Sequence, residues 1–172
     1  MFPPIQAIDR RLAQAEQVLV IALTAAMTGI MMTQVVMRYF FNAPIFWAEE
    51  MSVQLLVFIT LFGLSLLVHK SQLVSIDFLP QALPVAARHA LLALLGTLML
   101  ALFVFFTWLG WEWVNRPDVR MELGATTQLP RWYNFSALPL AFALMAWHQL
   151  AAVLREVQAA LAGPATAQGA TT

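Results

Sequence analysis

The stretch RYFFNAPIFWAEEMSVQLLVFITLFG, residues 38–63, places Arg38, Glu49 and Glu50 between two runs of apolar residues. A charge at the border of such runs costs free energy unless water or a partner compensates it. The runs themselves decide the fold. Outward from this stretch, the charged residues mark off four uncharged segments: Glu16 to Arg38, Glu50 to Lys70, Arg88 to Glu112 and Arg131 to Arg155. Each is roughly 19 to 23 residues long, close to the ~20 helical residues that cross a ~30 Å hydrocarbon core.

Composition agrees with that reading. The chain of 172 residues is 61% hydrophobic and only 10% charged, whereas soluble domains carry about 25% charged residues. Four buried helices would leave too little polar chain to cover them in water. In lipid, helices satisfy every backbone N–H and C=O internally. The runs are also too continuous for the roughly ten-residue alternating strands of a membrane barrel. The expected fold is an all-α integral membrane protein, an antiparallel bundle of four transmembrane helices in a lipid bilayer. The helices are expected near 15–40, 46–69, 86–114 and 132–156 of a single domain spanning 1–157. A disordered polar tail is expected over 158–172. The first run exceeds a signal-peptide core and ends in bulky VVMRYFF, so it reads as a retained anchor.

Net charge is zero and cysteine is absent. That balance provides no basic stripe for nucleic acid, and no thiolate nucleophile or Cys-ligated metal. No Walker A, G-x-S-x-G, H-E-x-x-H or G-x-G-x-x-G pattern occurs. The sequence therefore points to no enzyme and to no cofactor. Indoles at Trp47, Trp108, Trp111, Trp113, Trp132 and Trp147 fall near the span ends, where a ring can be buried with its N–H near water. Pro44 is placed to open the second helix, and Pro139 to kink the fourth.

Three readings of the opening charges stand side by side. Glu49 and Glu50 suit a helix N-terminus as a solvated pair. The short NAP turn also allows Arg38 to form a fork with one of them. A membrane-embedded ion site of a self-sufficient small exporter is the third, although neither carboxylate is near a span centre. Histidines 69, 89 and 148 fall toward one membrane side, and two of them on facing helices could ligate haem in a b-type anchor. Small residues Gly29, Thr33, Gly63 and Ser65 mark faces that permit close helix approach.

The order of these features resembles the small membrane subunit, the Q or DctQ type, of the tripartite ATP-independent periplasmic (TRAP) transporters. The likeness runs through QVVMRYFFNAPIFWAEEMSVQLLVFITLFGLSLLV (34–68), where Arg38, Trp47, Glu49 or Glu50, and Gly63 fit the family pattern. It continues through HKSQLVSIDFLPQALP (69–84), with Asp77 before the third helix, although Leu73 replaces a histidine common in the family. It returns in TTQLPRWYNFSALPLAF (126–142), with Pro130, Trp132 and Pro139. The resemblance implies a non-enzymatic scaffold subunit in the bacterial inner membrane. It would bind a large multi-helix transport subunit and work with a periplasmic substrate-binding protein. Uptake of an organic acid, driven by a sodium gradient, would follow. Arg38, Trp47, Glu49, Glu50, Gly63, Asp77 and Trp132 would then be structural or partner-contact residues.

Four crossings place both termini on one side of the membrane. That side has five basic residues (Arg10, Arg11, Lys70, Arg88 and Arg155) against four on the other, a small bias toward the cytoplasm. Reporter fusions after Lys70 and after Asp118 are expected to report opposite sides; the same side for both excludes four spans.

Overall fold

The computed structural model describes residues 3–70 and 85–162. Four long helices dominate it: α1 (Pro3–Phe40), α2 (Ala48–His69), α3 (Val85–Val114) and, after two short helices α4 (Pro117–Met121) and α5 (Trp132–Phe135), α6 (Ala137–Ala162). All four are long and apolar enough to cross a membrane. The described residues form no β-strand, only an isolated bridge between Leu123 and Pro130.

The boundaries differ from the sequence expectation at three places. Helix α1 begins at Pro3, twelve residues before the expected start, and its 38 residues span about 57 Å at 1.5 Å per residue. Charges at Asp9, Arg10, Arg11 and Glu16 look like a polar lead, yet Asp9 and Glu16 turn inward and are buried. Helix α6 runs to Ala162, into the segment expected to be a tail; residues 163–172 lie outside the described part. The third difference concerns Pro139. The chain breaks at Ser136 between α5 and α6, so Pro139 falls in the first turn of α6. There a missing N–H costs little. Pro44 lies in the connection before α2, which starts only at Ala48.

The packing follows heptad steps. On α1 the buried and half-buried positions run from Asp9, Ala13 and Glu16 through Val20, Leu23, Met27 and Ile30 to Gln34 and Met37. Alternating steps of four and three keep one stripe facing a neighbour along a slightly supercoiled helix. Helix α6 carries two such stripes. Ala141, Met145 and His148 face α2, where Val68 joins the core cluster with Phe103 of α3. Pro139, Phe142, Gln149 and Val153 meet α3, where Phe106 stacks on Phe142 at 5.3 Å. The main packed pairs are α3 with α6, α1 with α2, and α2 with α6. The helices thus stand in the order α1, α2, α6, α3. Each sequential pair is antiparallel, and α2 and α6 run parallel at the central seam.

Lipid-facing threonines close their hydroxyls on their own helix. Thr24, Thr28, Thr33, Thr60 and Thr97 each donate to the carbonyl four residues earlier, at 2.7–2.9 Å. No hydroxyl among them is left to face hydrocarbon unpaired.

Glycines separate closed faces from open ones. A Cβ on Gly110 would meet Pro139 at 3.3 Å, and one on Gly96 would meet Val153 at 2.9 Å. A Cβ on Gly29 or Gly63 would meet nothing within 4 Å. Gly110→Leu is therefore expected to destabilise the chain by about 1–3 kcal/mol, the usual overpacking cost. Gly29→Leu and Gly63→Leu should stay within about 0.5 kcal/mol, as for other unhindered positions. Thermal unfolding of the three variants in detergent checks the ranking.

Candidate functional site

Two polar constellations close the two ends of the helices. At the end opposite the termini, Glu50 stands in the first turn of α2 and reaches the loop before α5. Its carboxylate accepts from the Thr126 and Thr127 N–H groups at 2.8 and 3.1 Å, from the Thr127 hydroxyl at 3.1 Å, and from the Thr126 hydroxyl. The loop is shaped to receive it. Gln128 takes φ +54°, the Gly124 N–H donates to the Leu129 carbonyl at 2.8 Å, and Arg131 N–H to the Glu122 carbonyl at 2.9 Å. Gly124 lies so close that a Cβ there would collide with the Glu50 carboxylate. The Arg131 guanidinium holds Glu122 at 2.6 Å, and Arg116 holds Asp118 at 3.1 Å.

This corrects the expected fork between Arg38 and a glutamate. Glu50 is satisfied by four donors of the 126–127 loop. Arg38 is exposed and, among the described residues, has no hydrogen bond or ion pair. It stands in the last turn of α1, where a cation suits the helix dipole. Asn42, at φ +49°, turns the chain away immediately after it. Glu49 is exposed and borders a cleft of about 400 Å³ with Gln54, Arg131 and Asn134. Trp47 precedes α2 and is half exposed. Trp132 stacks on Tyr133 and receives the Arg120 guanidinium at 5.5 Å from its ring centre. A Cβ on Gly63 has open space around it, whereas Ser65, two residues on, is fully buried. Asp77 lies outside the described residues.

The other end holds a cluster that sequence reading missed. His148 of α6 is fully buried, with Nδ1 2.6 Å from Asp9 Oδ1 and Nε2 3.2 Å from Glu16 Oε1. His69, the last residue of α2, brings its Nδ1 to 3.1 Å from Asp9 Oδ2 and its ring to 4.9 Å from that of His148. Arg155 approaches the same oxygen at 3.7 Å. Each nitrogen of the His148 ring thus faces a carboxylate oxygen within hydrogen-bond distance. The expectation that His69 and His148 share one side holds, but their rings meet edge to face at 4.9 Å, which leaves no space for a haem plane between them. The missed signal was the spacing of Asp9, Ala13 and Glu16, which puts both acids on one helical face.

A groove of about 820 Å³ between α3 and α6 is lined by Leu100, Val104, Trp108, Trp111, Leu140 and Trp147, among others. Its two hydroxyls are already used, Thr107 on the Phe103 carbonyl and Ser136 on the Tyr133 carbonyl. No lysine or arginine lines it, so it offers an anionic solute no counter-charge. Its chemistry suits acyl chains or another apolar helix. For the Glu50 latch, Glu50→Ala is expected to speed hydrogen exchange at Thr126 and Thr127 while exchange within α2 stays slow. Gly124→Ala should act in the same direction by pushing the carboxylate out. Unchanged exchange in both variants would show that the loop holds its shape without Glu50.

Comparison with known proteins places these features in a family. The model of the DctQ component of tripartite ATP-independent periplasmic transporters matches residues 27–159. The chain is similar to the sialic acid TRAP transporter small permease protein SiaQ of Vibrio cholerae, with 28% identity over 135 residues, 78% of this chain and 77% of that protein. It is 27% identical over 157 residues to the C4-dicarboxylate TRAP transporter small permease protein DctQ of the same organism, covering 78% of this chain and 68% of that one. A third relative is the sialic acid TRAP transporter permease protein SiaT of Haemophilus influenzae, 29% identical over 120 residues. That match takes in 70% of this chain but spans only 19% of the length of SiaT. From the match over four apolar helices, the chain belongs to the DctQ-component family of TRAP transporters, a family of membrane transport subunits and not of enzymes.

Proposed function

We propose that this chain is the small scaffold subunit of an ion-gradient-driven TRAP transporter in the bacterial inner membrane. It braces a large multi-helix transport subunit, with both termini cytoplasmic. The observation that carries the reading is the family match over residues 27–159. The similarity to one segment of the much longer SiaT supports a large partner, because there the counterpart of this chain is covalently joined to the rest of a permease. The relatives are named for sialic acid and C4-dicarboxylates, both organic acids. An organic acid is accordingly the proposed substrate class, with sodium as the proposed coupling ion.

The chain's own physics fits bracing better than transport. Glu50 is tied to a loop, the large groove is apolar, and the buried acids are paired with histidine. The open positions at Gly29 and Gly63 are the proposed contacts with the large subunit. Lipid is as apolar as the helices, so affinity there rests on close packing and not on a water-based hydrophobic effect. The end bearing Trp47, Glu49 and Trp132 is the proposed periplasmic side, where a substrate-binding protein docks. Arg38 and Asp77 complete the proposed set of positional residues.

Reconstituted alone, the chain is expected to move no substrate. With the large subunit and binding protein it should support sodium-driven uptake of the organic acid. Gly63→Leu, which the isolated chain has room for, should weaken co-purification with the large subunit by about tenfold for each 1.4 kcal/mol of packing lost. Specific uptake by the small chain alone would overturn the scaffold reading.

A further inference from the structure

We propose that Asp9, His69 and His148 form a site for one divalent transition-metal ion, of the zinc or cobalt class, at the end of the molecule that carries the termini. The proposal is independent of the transport role. One ligand atom from each of the three residues lies within 4.8 Å of the others. Two imidazoles and one carboxylate are a donor set suited to such ions, at about 2.0–2.2 Å per bond. An ion between them would part His148 Nδ1 from Asp9 Oδ1, now 2.6 Å apart, and draw His69 Nδ1 onto the same centre.

Three observations point to a cation here beyond mere clustering. The first is Glu16. Its Oε1 lies 3.2 Å from His148 Nε2, so it can take that N–H and leave Nδ1 to face Asp9 as a metal ligand. A carboxylate on the far nitrogen is the usual support of a metal-binding histidine. The second is a pair of buried polar atoms, His69 Nδ1 and Glu16 Oε2, that make no hydrogen bond. Such atoms are costly unless something compensates them, and His69 Nδ1 is directed at the Asp9 carboxylate. The third is charge. Asp9 and Glu16 together carry two negative charges in a site where both are almost fully buried, and one divalent ion cancels them.

Arg155, 3.7 Å from Asp9 Oδ2, is the competing cation, and a metal would take its place as Arg155 swings away from Asp9. Its side chain is 39% exposed, and that of His69 is 23% exposed. The exposed edge gives Arg155 room to leave and gives an ion a path from water.

The test uses the full chain without a polyhistidine tag, in detergent, with Co²⁺ as the probe and Zn²⁺ as competitor. Wild type is expected to take up Co²⁺ with the visible absorption of a tetrahedral nitrogen–oxygen site, and Zn²⁺ should abolish that absorption. Glu16→Gln should weaken binding by about 10–100-fold, as for other supporting carboxylates. Glu122→Gln, at the opposite end, should leave it unchanged. Because His148→Ala leaves the buried Glu16 unpaired and can impair folding, Arg155→Gln is the deciding variant. It keeps every ligand, removes a competing charge, and should tighten Co²⁺ binding by about tenfold or more. No Co²⁺ absorption in wild type or in Arg155→Gln would overturn the site. So would His148 ring nitrogens whose magnetic resonance is the same with and without Zn²⁺, which would mean that no ion enters the cluster.

Discussion

Helices in a bilayer gain nothing by hiding apolar surface from lipid, and this constraint governs how the chain is held together. Cohesion must come from places where backbones approach closely and from a few polar contacts that hydrocarbon cannot replace. Both kinds are present and are spatially separated. Gly96 and Gly110 let α3 lie against α6 along its length. The polar contacts sit at the two ends, where Glu50 grips the 126–127 loop and His148 bridges Asp9 and Glu16. Between them the contacts are mainly apolar, and the ends carry the directional bonds that fix register.

The buried histidine cluster joins three helices at one point, since Asp9 and Glu16 belong to α1, His69 to α2 and His148 to α6. Such a group is a poor source of stability compared with well-packed apolar residues of the same volume, yet losing one member is costly. Its value lies in register: an acid on α1 that slid by one turn would face hydrocarbon or an unpaired histidine. The Glu50 contact does the same work at the other end with neutral donors. Two unrelated chemistries thus pin the two edges of the same helical array.

Much of the fold was legible because charge is scarce. Nine basic and nine acidic residues in 172 leave uncharged runs whose lengths match a bilayer, so four spans could be counted directly. The early start of α1 was not legible, because Asp9 and Glu16 look like solvated charges until their partner 132 or more positions away is known. The partner of Glu50 was hidden for a related reason. Thr126 and Thr127 are ordinary loop residues, and half of their contribution is backbone N–H, which leaves no trace in side-chain identity. Arg38 misled because nearness in sequence stood in for nearness in space. The four-residue helix before Ser136 hid the start of α6, so Pro139 falls in a first turn where sequence alone put it inside a longer helix.

The parallel seam between α2 and α6 bears on how the protein is made. The chain consists of two antiparallel hairpins, α1–α2 and α3–α6, laid side by side with that seam between them. Each hairpin is local in sequence and can enter the membrane as it leaves the ribosome. The contacts across the seam are long-range: Glu50 waits for Thr126, and Asp9 waits for His148. Until α6 is synthesised, a nascent first hairpin therefore holds Glu16 and Glu50 without their final partners and Asp9 with His69 alone. The expected order of biogenesis is insertion of two separate hairpins, followed by a late lateral closure that brings those carboxylates their partners and commits the subunit to its mature shape.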